Sequence, residues 1–299
     1  MATETGDRHT ASAGSKVILL GEHAVVHGSD ALVLGLPNGV QATIGPAETK
    51  QLSITPWTLD DASKQQLQSA LDTMQQQLGA PMQPLRIAIE AVIPPRSGMG
   101  ASAAVGLSCA RAMSALFRLR RCEDDLFMAV KTFEDFFHQK SSGVDVRAVA
   151  NSGCARFRPP HRLTPIPCKS IPLMVVHSGY PGATRTTVNL FQERLSRHPD
   201  APTQLQRLAS LVNDGETAIR QQHWAALGEL MNTAHCLLSW FGVSTDSLNE
   251  ICAVARDAGA LGAKLTGGGG GGCAIVLVEA NKWHAVATAL QNRKFDVVM

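Results

Sequence analysis

The sequence predicts an α+β protein of two domains, and three observations carry that reading. The chain has 299 residues, more than one average core requires. Its first half opens on short β-like stretches before any clear helix. Its second half runs strand, helical block, strand, strand, helix, strand, the order of a split β-α-β-β-α-β layer. The pattern changes near residue 168, so the expected domains are 1–168 and 169–299.

Taken in order, residues 16–20, 24–27, 31–36 and 40–44 read as strands, separated by Gly21, Gly28 and the Pro37-Asn38-Gly39 turn signal. The first helix starts near Asp60 and Asp61, carries Leu67, Leu71, Met74 and Leu78 on one face, and stops at Gly79 before Pro81. Residues 86–93 alternate as a strand and run into a glycine-rich turn. Helices follow to about Leu116 and over 123–138, and a turn at Ser141 to Asp145 opens another. Beyond 168, a strand at 172–176 precedes helices at 186–197, 203–222, 224–241 and 245–258. Strands at 263–266 and 273–278, a helix at 282–292 and a strand at 295–298 close the chain.

Composition narrows the function. A chain 44% hydrophobic and 17% charged is an ordinary globular one, and a net charge of +2 is too small for long-range capture of nucleic acid or an anionic membrane. Residues 1–12 are polar and include Glu4 and Asp7, which reads as a loose tail and not a secretory or transit segment. Apolar runs fall short of the roughly 20 residues that span a bilayer. Seven scattered cysteines, none in a C-x-x-C pair, argue against a disulfide framework or zinc site and for a reducing cytoplasm.

The chemistry-bearing segment runs through Pro94, Pro95, Arg96, Ser97, Gly98, Met99, Gly100, Ala101, Ser102 and Ala103. A strand, a glycine-rich turn and a small-residue helix start bring backbone amides to a phosphate. Gly98 and Gly100 let the backbone turn tightly, Ser102 offers a hydroxyl to a bridging magnesium ion, and Arg96 adds a cation. Alone, the segment is equally compatible with a tight strand-to-helix connection capped by Ser102. It matches neither G-x-x-x-x-G-K-[ST] nor the dinucleotide fingerprint. Residues 267–272 are six consecutive glycines, costly to order, so something there requires close backbone approach.

Three ordered motifs, K-V-I-L-L-G-E-H-A-V-V-H-G from Lys16 to Gly28, the segment from Pro94 to Ala104, and Lys264 to Cys273, resemble those of the GHMP kinases. The G-E-H-A-V-V-H-G run is similar to the mevalonate kinases within that family. The resemblance covers about the whole chain. It implies the GHMP kinase fold, a ribosomal protein S5 domain 2-like N-terminal domain plus a ferredoxin-like C-terminal domain, with ATP and Mg2+ as cofactors and mevalonate as leading substrate. A homodimer is compatible with it.

Matched position by position, it implies Asp145 as catalytic base with Lys16 beside it, and Ser102 and Glu134 as magnesium ligands, Glu134 standing 11 positions before Asp145. Glu22 and His23 become substrate contacts, as do Thr184 in the Y-P-G-A-T turn and Gly268 and Gly269 in the last motif. Without the resemblance, Glu134 reads as a helix-face charge, Asp145 as a helix cap and Lys16 as a strand-end lysine. The chain departs from the family pattern at Ala13-Gly14-Ser15 before Lys16, at Arg96 and Ala101 in the phosphate segment, and at Lys140-Ser141 before the S-G-V-D core. A related kinase substrate, phosphomevalonate or a sugar, and a non-catalytic ligand-binding homologue are the rival readings.

Overall fold

The computed structural model describes residues 7–137 and 142–299. The chain forms two compact units whose segments alternate along the sequence. One comprises residues up to Ser15, Leu36–Pro95 and Gly100–Ser152; the other comprises Lys16–Gly35, Arg96–Met99 and Gly153–Met299. The strands β1 (His9–Leu20) and β2 (Ala31–Pro46) contribute residues to both.

In the first unit, β2 pairs antiparallel with β4 (Leu85–Ala91) from Val40↔Ala91 to Pro46↔Leu85. Parallel to β4 runs β3 (Gln51–Thr55). Helix α1 (Asp61–Gln77) starts where Asp60 Oδ1 accepts from Ser63 N at 2.7 Å, satisfying an amide that has no partner inside the helix. Its buried Leu67, Leu71 and Met74 recur at helical spacing. Helix α2 (Ala101–Leu116) is almost wholly buried, as its alanine-rich sequence allows, and α3 (Glu123–Asp135) packs closely on it. A Cβ on Gly106 would meet Phe133 at 2.8 Å, so the missing side chain sets that approach. A short helix, α4 (Val144–Ala150), completes the unit.

In the second unit, the first part of β2 pairs with β5 (Gly153–Arg158), which pairs with β6 (Arg162–Pro165). A separate four-stranded antiparallel sheet takes β7 (Leu173–His177), β8 (Gly262–Leu265), β9 (Cys273–Leu277) and β10 (Asp296–Val297) in the order β10-β7-β9-β8. Helices α5 (Thr184–Arg197), α6 (Ala201–Arg220), α7 (Trp224–Trp240) and α8 (Asp246–Asp257) lie in sequence between β7 and β8, and α9 (Trp283–Asn292) between β9 and β10. This is the split β-α-β-β-α-β layer expected, with extra helices in its first crossover. Arg156 fastens the unit's surface, donating to Asp30 at 2.6 Å and to Glu216 at 2.8 Å.

Four local expectations change. Residues 24–27 form a single 3-10 turn closed by Gly28 at φ 87, not a strand. Residues 31–46 form one strand running through Pro37-Asn38-Gly39, because β2 changes partner there from β5 to β4. The expected tail is strand from His9 onward, while residues 1–6 lie outside the described residues, as do His138, Lys140 and Ser141. The strands β3, β5 and β6 had no counterpart in the sequence reading.

Candidate active site

Within the second unit, Lys16 sits in β1 and is 1% exposed. Its backbone N–H donates to the Met99 carbonyl at 3.0 Å and its Nζ to the Gly98 carbonyl at 2.9 Å. The first motif is thus clasped to the start of the glycine-rich segment. Arg96 lies at φ 53, a left-handed backbone that costs a non-glycine residue of order 1 kcal/mol or more. Its Nε donates to the Gly182 carbonyl at 3.1 Å and its own carbonyl accepts from Gly182 N at 2.7 Å. Ser97 is buried, and its carbonyl accepts from Cys273 N at 2.9 Å.

The run at 267–272 folds against this same backbone. A Cβ on Gly98 would come within 2.4 Å of the Thr266 carbonyl oxygen, and one on Gly269 within 2.2 Å of the Val243 carbonyl oxygen. Both residues also have positive φ, so two separate reasons demand glycine. Gly268 lies against Thr184 at the start of α5, 2.6 Å from its Oγ1 to a built Cβ, and its carbonyl meets a His23 ring nitrogen at 3.0 Å. Ala183 N donates to the Gly269 carbonyl and Gly270 N to the Val243 carbonyl. The close approach foreseen for these glycines is therefore to the protein's own chain.

Glu22 and Lys264 are both fully buried and form an ion pair. Lys264 Nζ also donates to the Leu265 carbonyl at 2.7 Å and the Ile18 carbonyl at 3.4 Å. Thr266 Oγ1 accepts from Ile18 N at 2.8 Å. Burial pushes the Glu22 carboxyl up and the Lys264 ammonium down, while each charge pulls the other back. Lys264 as the partner of Glu22 was not foreseen; both belong to the matched motifs, but sequence spacing gives no pairing across 242 residues.

His23 lies at φ 58 and stacks on Phe191, with ring centroids 4.8 Å apart. Burial lowers it to about 4 against the opposing effect of its bond to Gly268. Burial does the same to His235, helped by the charge of Lys264, again to about 4; its Nδ1 accepts from Leu265 N. Both rings are neutral at pH 7.

In the first unit, Pro94 is half-buried and Gly100, at φ 74, opens α2. Ala101 and Ala103 are buried, while Ser102 in the first turn is half-buried. The helix start directs unsatisfied amides and partial positive charge toward its N-terminal end. Glu134, 1% exposed, is next to Phe133, the residue against Gly106, and Gly106 is one helical turn past Ser102 on the same face of α2. Asp145 is half-buried in the first turn of α4, behind Gly143 at φ 79. Arg147 holds α4 to α3: it pairs with Asp124 and lies over the Phe127 ring at 4.2 Å. Sequence reasoning did not single out Arg147.

Among the described residues, no group of three or more His, Cys, Asp or Glu side chains is placed to hold a metal. A hydroxyl and one carboxylate, Ser102 and Glu134, still suit Mg2+, which retains several waters and takes phosphate oxygens for the rest. No helix of the described residues is long and apolar enough to cross a membrane.

Two family models match the chain, the GHMP kinases N terminal domain over residues 65–153 and the GHMP kinases C terminal model over 216–296. The mevalonate kinase of Pyrococcus horikoshii is 30% identical over 94% of this chain and 91% of its own length. That of Aeropyrum pernix is 32% identical over 90% and 88%. The structure of L. major mevalonate kinase in complex with R-mevalonate superposes with a TM-score of 0.85 at 26% identity, covering 98% of this chain and 95% of that one. With a clasped first motif, a glycine-rich helix start and a packed glycine run in the family's order, the chain belongs to the GHMP kinases and, within them, to the mevalonate kinase family.

Proposed function

We infer that the protein transfers the γ-phosphoryl group of ATP to the 5-hydroxyl of (R)-mevalonate, giving 5-phosphomevalonate and ADP. The observation that carries this is identity of about 30% to mevalonate kinases over nine-tenths of both chains. The division of labour runs along the chain, with 1–168 as the ATP-binding domain and 169–299 as the C-terminal domain. The two family matches, at 65–153 and 216–296, support a division of that kind.

The amides of Gly100 to Ala103, with Ser97, Gly98 and Met99 leading into them, cradle the nucleotide phosphates at the start of α2. Pro94 and Arg96 flank that cradle. Arg96 is committed to Gly182, so its contribution is to hold the segment in shape more than to bring a free cation. Ser102 and Glu134 are the residues that would hold Mg2+, and the ion would supply neutralisation of phosphate charge. Asp145 takes the proton of the attacking hydroxyl, and Lys16 stabilises the alkoxide that develops there. His23, Thr184, Gly268 and Gly269 form the substrate side, where His23, neutral at pH 7, presents a hydrogen-bonding ring without a charge. Glu22 acts there through its pair with Lys264. The seven cysteines are all free, four of them buried, which supports a reducing cytoplasm as the working compartment.

The test is ADP release with ATP and Mg2+ over a panel of mevalonate, phosphomevalonate and galactose. Turnover with mevalonate at least about a hundredfold above the others is expected. Preference for phosphomevalonate or galactose would reassign the substrate, and binding of ATP and mevalonate without turnover would make the chain a ligand-binding homologue.

A further inference from the structure

An open cavity of about 290 Å³ lies in the second unit where the end of α5 meets the end of α7. Leu190, Phe241 and Gly242 form its apolar side, and Arg194, Arg197 and His198 its polar side. Glu193, also at the cavity, pairs with Arg197 and offsets that charge. Arg194 is different. Its guanidinium lies over Trp240 at 4.6 Å, and its Nε is buried with no hydrogen-bond acceptor among the described residues. A guanidinium held over an aromatic face at the cavity, with no carboxylate paired to it among the described residues, suits a ligand oxyanion.

Two routes lead from this cavity to the glycine run. Phe241 stacks on Phe191 at 4.0 Å, Phe191 stacks on His23, and His23 bonds to the Gly268 carbonyl. Gly242 is followed by Val243, whose carbonyl accepts from Gly270 N at 2.9 Å and lies against Gly269. A ligand touching Phe241 and Gly242 therefore bears on the two contacts that shape residues 268–270.

We propose that this cavity is an effector site for a compact organic oxyanion with a short aliphatic body, its anionic end on Arg194 and its chain against Leu190 and Phe241. Occupancy changes the affinity of the substrate side through His23 and Val243. The binding half stands on the geometry alone; the kinetic half rests on the kinase function inferred above.

Butyl phosphate and valerate serve as probes, titrated calorimetrically into the full chain with saturating ADP and Mg2+ present to block the nucleotide site. One site is expected for one or both probes, and Arg194→Gln should weaken it about tenfold or more while leaving basal turnover and melting unchanged. Should Arg194→Gln melt early, Arg197→Gln, on a side chain 77% exposed, replaces it with a smaller expected loss. The two probes separate a phosphate ligand from a carboxylate. No binding, binding seen only when ADP is left out, or binding indifferent to both substitutions overturns the site. The bound probe should shift KM for mevalonate about fivefold or more in the wild type only; an unmoved KM with the site filled overturns the coupling while leaving both the site and the kinase reading intact.

Discussion

The two glycine-rich segments look alike in sequence and are used differently. The one around Gly98 and Gly100 leads into a 16-residue helix, whose first amides are the proposed phosphate cradle. The run at 267–272 follows the four-residue β8 and leads directly into the buried five-residue β9, and its glycines are occupied by contact with Thr184, Val243 and the backbone of Tyr180 to Ala183 and Ser97. Gly98 packs against Thr266 much as the later run packs on its neighbours, whereas Gly100 opens the helix start whose amides are the proposed cradle; the second segment is packing throughout. Damage near that helix start should therefore fall on turnover and damage near the second segment on folding.

The sharpest test is Asp145→Asn, which should lower kcat about 10²–10⁴-fold with nucleotide binding and melting temperature kept. Near wild-type turnover would remove Asp145 from the role of base. On the other side, Lys264→Met leaves Glu22 buried and unpaired and should cost about 3–5 kcal/mol of stability by denaturant unfolding. Adding Glu22→Gln should recover part of that; no recovery would mean the pair is not the cause.

Acidification separates the segments next. The folded chain keeps His23 and His235 neutral to about pH 4, whereas unfolded they take a proton near 6.5. The unfolded state thus binds more protons between those values, so stability is full above about pH 6.5 and declines as pH falls toward 4. Each ring contributes about 3 kcal/mol to that loss. His23→Asn should flatten part of the decline in a melting series; an unchanged slope would show that the ring titrates normally. Smallest is Gly269→Ala, expected to cost about 1–3 kcal/mol through clash and positive φ. Loss of turnover at unchanged stability would instead make the run a presenting segment like the first.

Much of this was legible in the sequence. The helices carry clear 3.6-residue patterns, as in Leu67, Leu71 and Met74, and the split β-α-β-β-α-β order followed from alternation and turn residues. Residues 24–27 misled because Val25 and Val26 favour strands, while Gly21 and Gly28 set the backbone angles that close a turn. Pro37-Asn38-Gly39 misled because a turn signal and a change of strand partner use the same residues. The motif residues were found by their order, yet the Glu22–Lys264 pair and the hold of Arg147 on α3 depend on tertiary contact, which no local pattern encodes.

The aromatic column has a practical use. From His23 through Phe191 and Phe241 to Trp240, edge-on to Phe241 at 4.9 Å, an unbroken series of rings joins His23 to an indole. Trp240 is thereby a native chromophore whose near-ultraviolet dichroism and emission report the packing of His23 without a label. Replacing Trp57, Trp224 and Trp283 by phenylalanine would leave a single-tryptophan protein whose spectrum follows the packing of this column as an optical signal in real time.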